Sequence, residues 1–63
     1  MSERDFIHDV LNPLTIVEGN INLMIRRWEK LSKEEIHESM GLLKTELERA
    51  FAIIAERKKQ LES

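Results

Sequence analysis

The sequence has no cysteine, so neither a disulfide nor a thiolate metal site can stabilise its fold. One proline and two glycines are too few for a protein built from strands and turns. No apolar run approaches the ~20 residues of a membrane span, and a formal charge of −2 offers nothing to attract nucleic acid. We therefore expect an all-α, soluble segment without membrane or nucleic-acid contact, although its parent protein could be anchored in a membrane.

A single domain over residues 1–63 lies near the lower size limit for independent folding. The composition, 41% hydrophobic and 35% charged, is typical of long amphipathic helices. Without cysteine, oligomerisation is the remaining source of added stability for so short a chain. We therefore expect a homodimer.

Two heptad series predict two long helices. In the first, apolar residues recur at alternating spacings of three and four: Ile7, Val10, Leu14, Val17, Ile21, Met24, Trp28 and Leu31. The second series consists of Ile36, Met40, Leu43, Leu47, Ala50, Ile54, Arg57 and Leu61, in which Arg57 is the one polar residue. The series predict helix one over about residues 2–30 and helix two over about residues 33–62.

The connection between the helices is short. Ser32 and Glu35 have the spacing of a capping box, which predicts a helix start there and places the turn near residues 30–32. Basic residues end the first helix and acidic residues begin the second, as the helix dipoles favour. So short a turn predicts antiparallel helices.

Both helices are apolar beyond their heptad cores. The additional apolar residues are Leu11, Ile16, Leu23 and Ile25 on the first helix, and Leu42, Phe51 and Ile53 on the second. Two helices cannot cover stripes this wide, whereas a pair of hairpins can. The predicted fold is an antiparallel helical hairpin that dimerises into a four-helix bundle. A lone hairpin that docks on another protein is the alternative.

His8 occupies a heptad position that packing does not need. With Ile7 in the core, His8 points to water, and Asp5 and Asn12 lie one turn before and after it on the same surface. A histidine imidazole is mostly neutral at pH 7 and keeps a lone pair that can accept a phosphoryl group. Pro13, inside the same helix, costs about 3 kcal/mol and predicts a bend close to His8.

The run His8-Asp9-Val10-Leu11-Asn12-Pro13-Leu14, preceded by Phe6, resembles the H-box of two-component sensor histidine kinases. That motif is a histidine, an acidic residue, two variable positions, threonine or asparagine, proline and leucine. The turn and second helix also lie at the expected distance. Nearly the whole chain is therefore similar to the dimerisation and histidine phosphotransfer domain of that family, although Leu11 stands where a basic residue is often found.

The resemblance implies roles for four residues. His8 would accept the γ-phosphoryl group of ATP and pass it to an aspartate of a response-regulator receiver domain. Asp9 would orient the imidazole or take its proton, Asn12 would position a water in the phosphatase reaction, and Pro13 would be the helix hinge. On a straight helix Asp5 is better placed than Asp9, because successive residues diverge by about 100°.

The chain has no glycine-rich nucleotide loop, so ATP and Mg²⁺ are expected on a separate catalytic domain, with no cofactor or metal in this chain. Alone it would carry phosphoryl groups without catalysing their transfer. Lys58 is a candidate for stabilising phosphate charge, and His37 is predicted to be an ordinary surface residue. The alternatives are a structural dimerisation bundle or degenerate kinase fragment with an inert His8, and a stand-alone phosphotransferase of a relay.

Overall fold

The computed structural model describes residues 2–62, so Met1 and Ser63, the ends of the predicted domain, lie outside the described residues. Helix α1 spans Glu3–Arg26 and helix α2 spans Lys33–Glu62, with a short 3-10 helix at Trp28–Lys30 between them. Within the described range there is no strand. The two α-helices pack against each other to form a body 48 Å long. The predicted all-α helical hairpin is confirmed.

Side-chain caps define where both helices begin. The Ser2 hydroxyl accepts a hydrogen bond from the Asp5 backbone N–H at 3.1 Å. At the second helix, the Glu35 N–H donates to the Ser32 hydroxyl at 3.1 Å, and the Ser32 N–H donates to the Glu35 carboxylate at 3.2 Å. These reciprocal bonds are the capping box that the sequence predicts.

Helix α1 ends at Arg26, about four residues before the predicted bound near residue 30. After this point the backbone changes from α-helix to a 3-10 turn, in which the Lys30 N–H donates to the Arg27 carbonyl at 2.8 Å. The apolar series continues through Trp28 and Leu31, and periodicity alone therefore does not mark the end. The connection of residues 27–32 reverses the chain, so that α2 runs antiparallel to α1.

The helices contact each other along a stripe that coincides only in part with the predicted core. On α1 the buried or half-buried residues are Phe6, Val10, Pro13, Val17, Asn20 and Met24. On α2 they are Ile36, Ser39, Leu43, Glu46, Leu47, Ala50, Ile53 and Arg57. On α1, Val10, Val17 and Met24 belong both to the predicted core and to the observed contact surface. Phe6 and Pro13 take the places predicted for Ile7 and Leu14. We call this contact surface the seam.

Most of the remaining predicted heptad core is exposed. The exposed apolar stripe comprises the predicted core residues Ile7, Leu14 and Ile21 on α1, Trp28 in the 3-10 helix, and Met40, Ile54 and Leu61 on α2, together with Leu11, Ile25 and Phe51 from outside that core. The seam itself contains few fully buried apolar groups, mainly Ala50 and Pro13, and it includes the buried carboxylate of Glu46, paired with Arg49 at 2.8 Å. Neither α-helix, over the described residues, has an apolar stretch that could cross a bilayer.

Candidate functional site

His8 lies in the second turn of α1, and its side chain is exposed. Phe6 and Val10, two residues to either side, are half-buried in the seam. Residues two apart on an α-helix diverge by about 200°, so His8 projects from the side of α1 opposite α2. Among residues 2–62, no hydrogen bond or ion pair engages its imidazole. An incoming group can therefore reach the ring from solvent.

The two nearby carboxylates differ in their position relative to the groove between the helices. Asp9 lines a groove of about 260 Å³ between the helices, together with Phe6, Ala52, Ile53, Glu56, Arg57 and Gln60. Asp9 therefore lies on the α2 side of the imidazole. Asp5 is exposed one turn before His8 on the outer face. Only Asp5 has the helical spacing that places it directly beside His8.

Asn12 follows His8 by four residues and is exposed on the same face. Its amide offers both donor and acceptor groups to solvent close to the imidazole. An exposed amide in this position can hold a water molecule beside a group bound at His8. The structure thus places Asn12 with His8, whereas Asp9 is turned toward the groove.

Arg4 is a neighbour of His8 that the sequence motif does not include. It precedes His8 by four residues, is exposed, and forms no ion pair within the described chain. Its guanidinium can supply positive charge to a phosphoryl group on the imidazole. The i,i+4 spacing on a helix is the signal that could have identified it.

Pro13 is the most deeply buried side chain of α1, with less than 2% of its surface exposed. The helix runs through it without a break. Proline has no N–H, so the Asp9 carbonyl loses its i+4 donor and the helix is weakened at that point. The predicted hinge therefore lies in the seam, between the part of α1 that carries His8 and the part that leads to the turn.

Arg57 takes a seam position near the open end of the hairpin. Its Nη2 atom donates to the Glu3 carboxylate, and its Cζ atom lies 5.7 Å from the centre of the Phe6 ring. Lys58, the candidate phosphate ligand, is exposed and pairs with Glu62 at 3.8 Å. Because α2 lies on the opposite side of α1 from His8, Lys58 of the same hairpin is not beside the imidazole.

His37 is exposed in the first turns of α2. Within residues 2–62, no group of three or more histidine and carboxylate side chains is arranged to hold a metal ion. Comparison with protein-family models, with curated proteins and with solved structures gives no match to this chain. Function is therefore inferred from the motif and from its placement on α1.

Proposed function

We propose that this chain is the dimerisation and histidine phosphotransfer domain of a sensor histidine kinase, with His8 as the phospho-acceptor. The observation that supports this most strongly is the exposed, unengaged imidazole inside the His8–Leu14 motif. It projects away from the partner helix, where a second domain can approach it. Its position on a regular helix fixes its direction, as a group that receives phosphate from another domain requires.

In the proposed reaction, a ring nitrogen of His8 attacks the γ-phosphorus of ATP held with Mg²⁺ on a separate catalytic domain. The new N–P bond forms as the bond to the ADP oxygen breaks, and the other ring nitrogen loses its proton to a base. A receiver-domain aspartate then attacks the same phosphorus, and the N–P bond breaks. The chain itself acts as carrier between the two proteins.

We propose, from the motif, that Asp9 is the base that accepts this proton from the His8 ring. Its carboxylate lies on the α2 side of the imidazole, so it leaves the solvent side free for the incoming triphosphate. A carboxylate on the solvent side, such as Asp5, would repel that triphosphate. Arg4, on the outer face, provides the opposite charge for the transferred group.

Asn12 is proposed to act in a separate reaction, in which water attacks the phosphorus on the receiver aspartate and inorganic phosphate is released. Its exposed amide lies one turn beyond His8 on the surface that the receiver would contact. An amide can orient an attacking water without itself gaining or losing a proton. This role requires the receiver to dock on the His8 face of α1.

We further propose that two hairpins form a homodimeric four-helix bundle. Each helix of such a bundle meets two neighbours, so it needs two adjacent apolar surfaces. The seam is one of these, and the exposed apolar stripe supplies the other. Near the turn, the stripe residues Ile21, Ile25, Trp28 and Met40, with Met24 and Leu43 of the seam, surround an open depression of about 580 Å³.

The partners of this dimer would be the ATP-binding catalytic domain of the parent kinase and the receiver domain of a response regulator. Both react with His8 from the solvent side of the bundle. We place the domain in the cytoplasm, where ATP is available to the kinase.

The assignment of His8 is tested by labelling with ATP that carries radioactive γ-phosphate, in the presence of the parent kinase's catalytic domain. We expect an acid-labile, alkali-stable label on the wild-type chain and none on His8→Gln. His37→Gln is the matched control and should label like the wild type, because His37 lies in α2 outside the motif. Label that persists in His8→Gln would exclude His8 as the acceptor.

A structural bundle with an inert His8 is the competing function, and the exposed apolar stripe favours it equally. Only the labelling experiment distinguishes the two functions. A folded dimer that takes no label with an active catalytic domain would support the structural bundle.

A further inference from the structure

We propose that Arg57 is a positioning residue that fixes the His8-bearing part of α1 on α2, a role that rests on the proposed function of His8. We call residues 3–12 the upstream segment. It contains everything in α1 that precedes Pro13, including the imidazole and both nearby carboxylates. Arg57 acts on His8 through this segment and does not touch the reacting group.

The upstream segment is weakly joined to the rest of α1. Pro13 has no N–H to donate to the Asp9 carbonyl, so one hydrogen bond of the helix ladder is missing at that junction. Pro13 itself is buried in the seam and stays fixed there. A helix as short as this segment is unstable in water without packing, so its release from α2 would be coupled to opening of its own backbone hydrogen bonds, and the helical turn that carries His8 would open with it.

The upstream segment is also incompletely packed on α2. Phe6 and Val10 are its half-buried residues, and the others in the segment are exposed. The groove beside Phe6 and Asp9 leaves open space of about 260 Å³ between the segment and α2. The apolar contacts of the segment with α2 are therefore weak.

Arg57 supplies the missing attachment with a single side chain. It pairs with Glu3 in the first turn and lies over the Phe6 ring one turn later. The Arg57 side chain is only 22% exposed, which favours the contact with the ring, whereas Glu3 is 71% exposed and its ion pair is screened by water. A second cross-helix bond, from the Asn20 amide to the Ser39 carbonyl at 3.4 Å, lies beyond Pro13 and does not hold the segment.

The consequence is that a charged residue in an apolar heptad series sets the orientation of His8. Phosphoryl transfer is sensitive to misplacement of the reacting atoms by about 1 Å. Release of Arg57 would let the upstream segment move over the groove, and the imidazole would lose its fixed direction. Arg57 would thus adjust how readily His8 meets its donor.

Hydrogen exchange of the whole chain tests this directly, because the amides of residues 7–12 report opening of the upstream segment. In Arg57→Gln we expect these amides to exchange about three- to tenfold faster, from the loss of the ion pair and the ring contact. Glu3→Gln, a mild change at an exposed residue, should accelerate them about twofold. The amides of residues 17–24, beyond Pro13, should keep their wild-type rates.

Lys59→Gln is the matched control, since it removes the same charge two residues away and Lys59 has no ion pair in the described part of the chain. It should change neither set of amides. Arg57→Lys keeps the charge near Glu3. The amides of residues 7–12 should then exchange within about twofold of their wild-type rates. Equal acceleration on both sides of Pro13, or no change in Arg57→Gln and Glu3→Gln, would overturn the proposal.

Labelling provides the second readout. Arg57→Gln should lower the rate of His8 phosphorylation with no loss of the final extent, and Arg57→Lys should recover most of that rate. A rate equal to that of the wild type, despite faster exchange of residues 7–12, would overturn the positioning role. A wild-type chain that takes no label would instead refute the function proposed for His8, and the exchange pattern would still test the attachment.

Discussion

The two ends of the hairpin differ in what holds them together and in what they expose. At the turn end, residues 20–43, a capping box fixes the reversal and an apolar depression is left open. At the open end, residues 3–12 and 50–60, a few half-buried side chains and the contacts of Arg57 hold α1 on α2. Under the proposed function, this difference would separate assembly, at the turn end, from chemistry, at the open end.

Pro13 lies at the boundary between the two ends. On one side of it the helix carries His8, and on the other side it leads to the turn. Because the proline removes a backbone hydrogen bond without interrupting the helix, the two parts can respond differently to the same perturbation. Three substitutions, taken with those at His8 and Arg57, test that separation.

The largest effect is expected at the turn end, from Ile25→Glu. Ile25 is 69% exposed in the hairpin, so a charge there leaves the hairpin intact but would be buried in the proposed dimer. An unpaired buried charge costs about 3–5 kcal/mol, which would raise the dimer dissociation constant roughly 1000-fold. Sedimentation equilibrium measures the change.

Ile16→Glu is the control for this substitution. Ile16 is also exposed, but residues nine apart on an α-helix lie on opposite sides of it, so Ile16 is outside the exposed apolar stripe. It should leave the dissociation constant nearly unchanged. A wild-type chain that sediments as a folded monomer, or equal effects of the two substitutions, would contradict the proposed dimer.

The second-largest effect is expected at the open end, from Asp9→Asn. General acid–base assistance is worth about 100-fold or more, so loss of the Asp9 carboxylate should slow His8 labelling by at least that factor without altering the dimer. Asp5→Asn removes a carboxylate one turn before His8, outside the groove, and should change the rate by less than about threefold. A larger loss in Asp5→Asn would move the assignment to the carboxylate on the outer face.

The smallest effect is expected from Pro13→Ala, at the boundary. Alanine regains about 3 kcal/mol of helix stability and loses two buried methylenes, worth about 1.6 kcal/mol. The net gain of about 1.4 kcal/mol should raise the melting temperature by about 6–11 °C, and the amides of residues 7–12 should exchange more slowly. Thermal unfolding followed by circular dichroism, together with hydrogen exchange, measures both.

Gly19→Ala is the matched control for Pro13→Ala. A methyl group at Gly19 meets nothing within 4 Å, and it should stabilise the helix by about 0.5–1 kcal/mol. Gly19→Ala leaves the Asp9 carbonyl without a hydrogen-bond donor. It should therefore raise the melting temperature without selectively slowing amide exchange in residues 7–12. A lower melting temperature in Pro13→Ala would show that packing of the proline ring outweighs the missing hydrogen bond.

Much of the fold follows from local sequence signals. The capping box at Ser32 and Glu35, the short connection and the two apolar series predict a helical hairpin, because each depends on residues close together in the chain. The seam could not be predicted in the same way. Both the seam and the exposed stripe are largely apolar, and periodicity does not tell which one faces α2. Polar Asn20, Ser39 and Glu46 lie in the seam and carry no apolar signal at all.

The candidate site was likewise predictable only in part from the sequence. His8 is exposed as predicted, but the premise that Ile7 lies in the core is wrong, because Phe6 takes the seam position and Ile7 is exposed. The motif identifies His8 as a candidate, and its role stays a prediction. The burial of Pro13 and the contacts of Arg57 depend on how α1 is rotated against α2, which the sequence does not specify. Arg57 interrupts an apolar series, and such an interruption, opposite an aromatic residue in an antiparallel pair, is the signal that could reveal this kind of contact.

The central claim, that His8 carries a phosphoryl group, is tested most directly by locating the phosphorus atom after reaction with ATP and the catalytic domain. Phosphorus-31 and nitrogen-15 NMR of the intact chain at alkaline pH can show a ring nitrogen bonded to phosphorus and assign it to one histidine. We expect a single phosphorylated imidazole, at His8. Phosphorus on His37, on a serine or threonine, or on no residue while the catalytic domain is active, would contradict the claim.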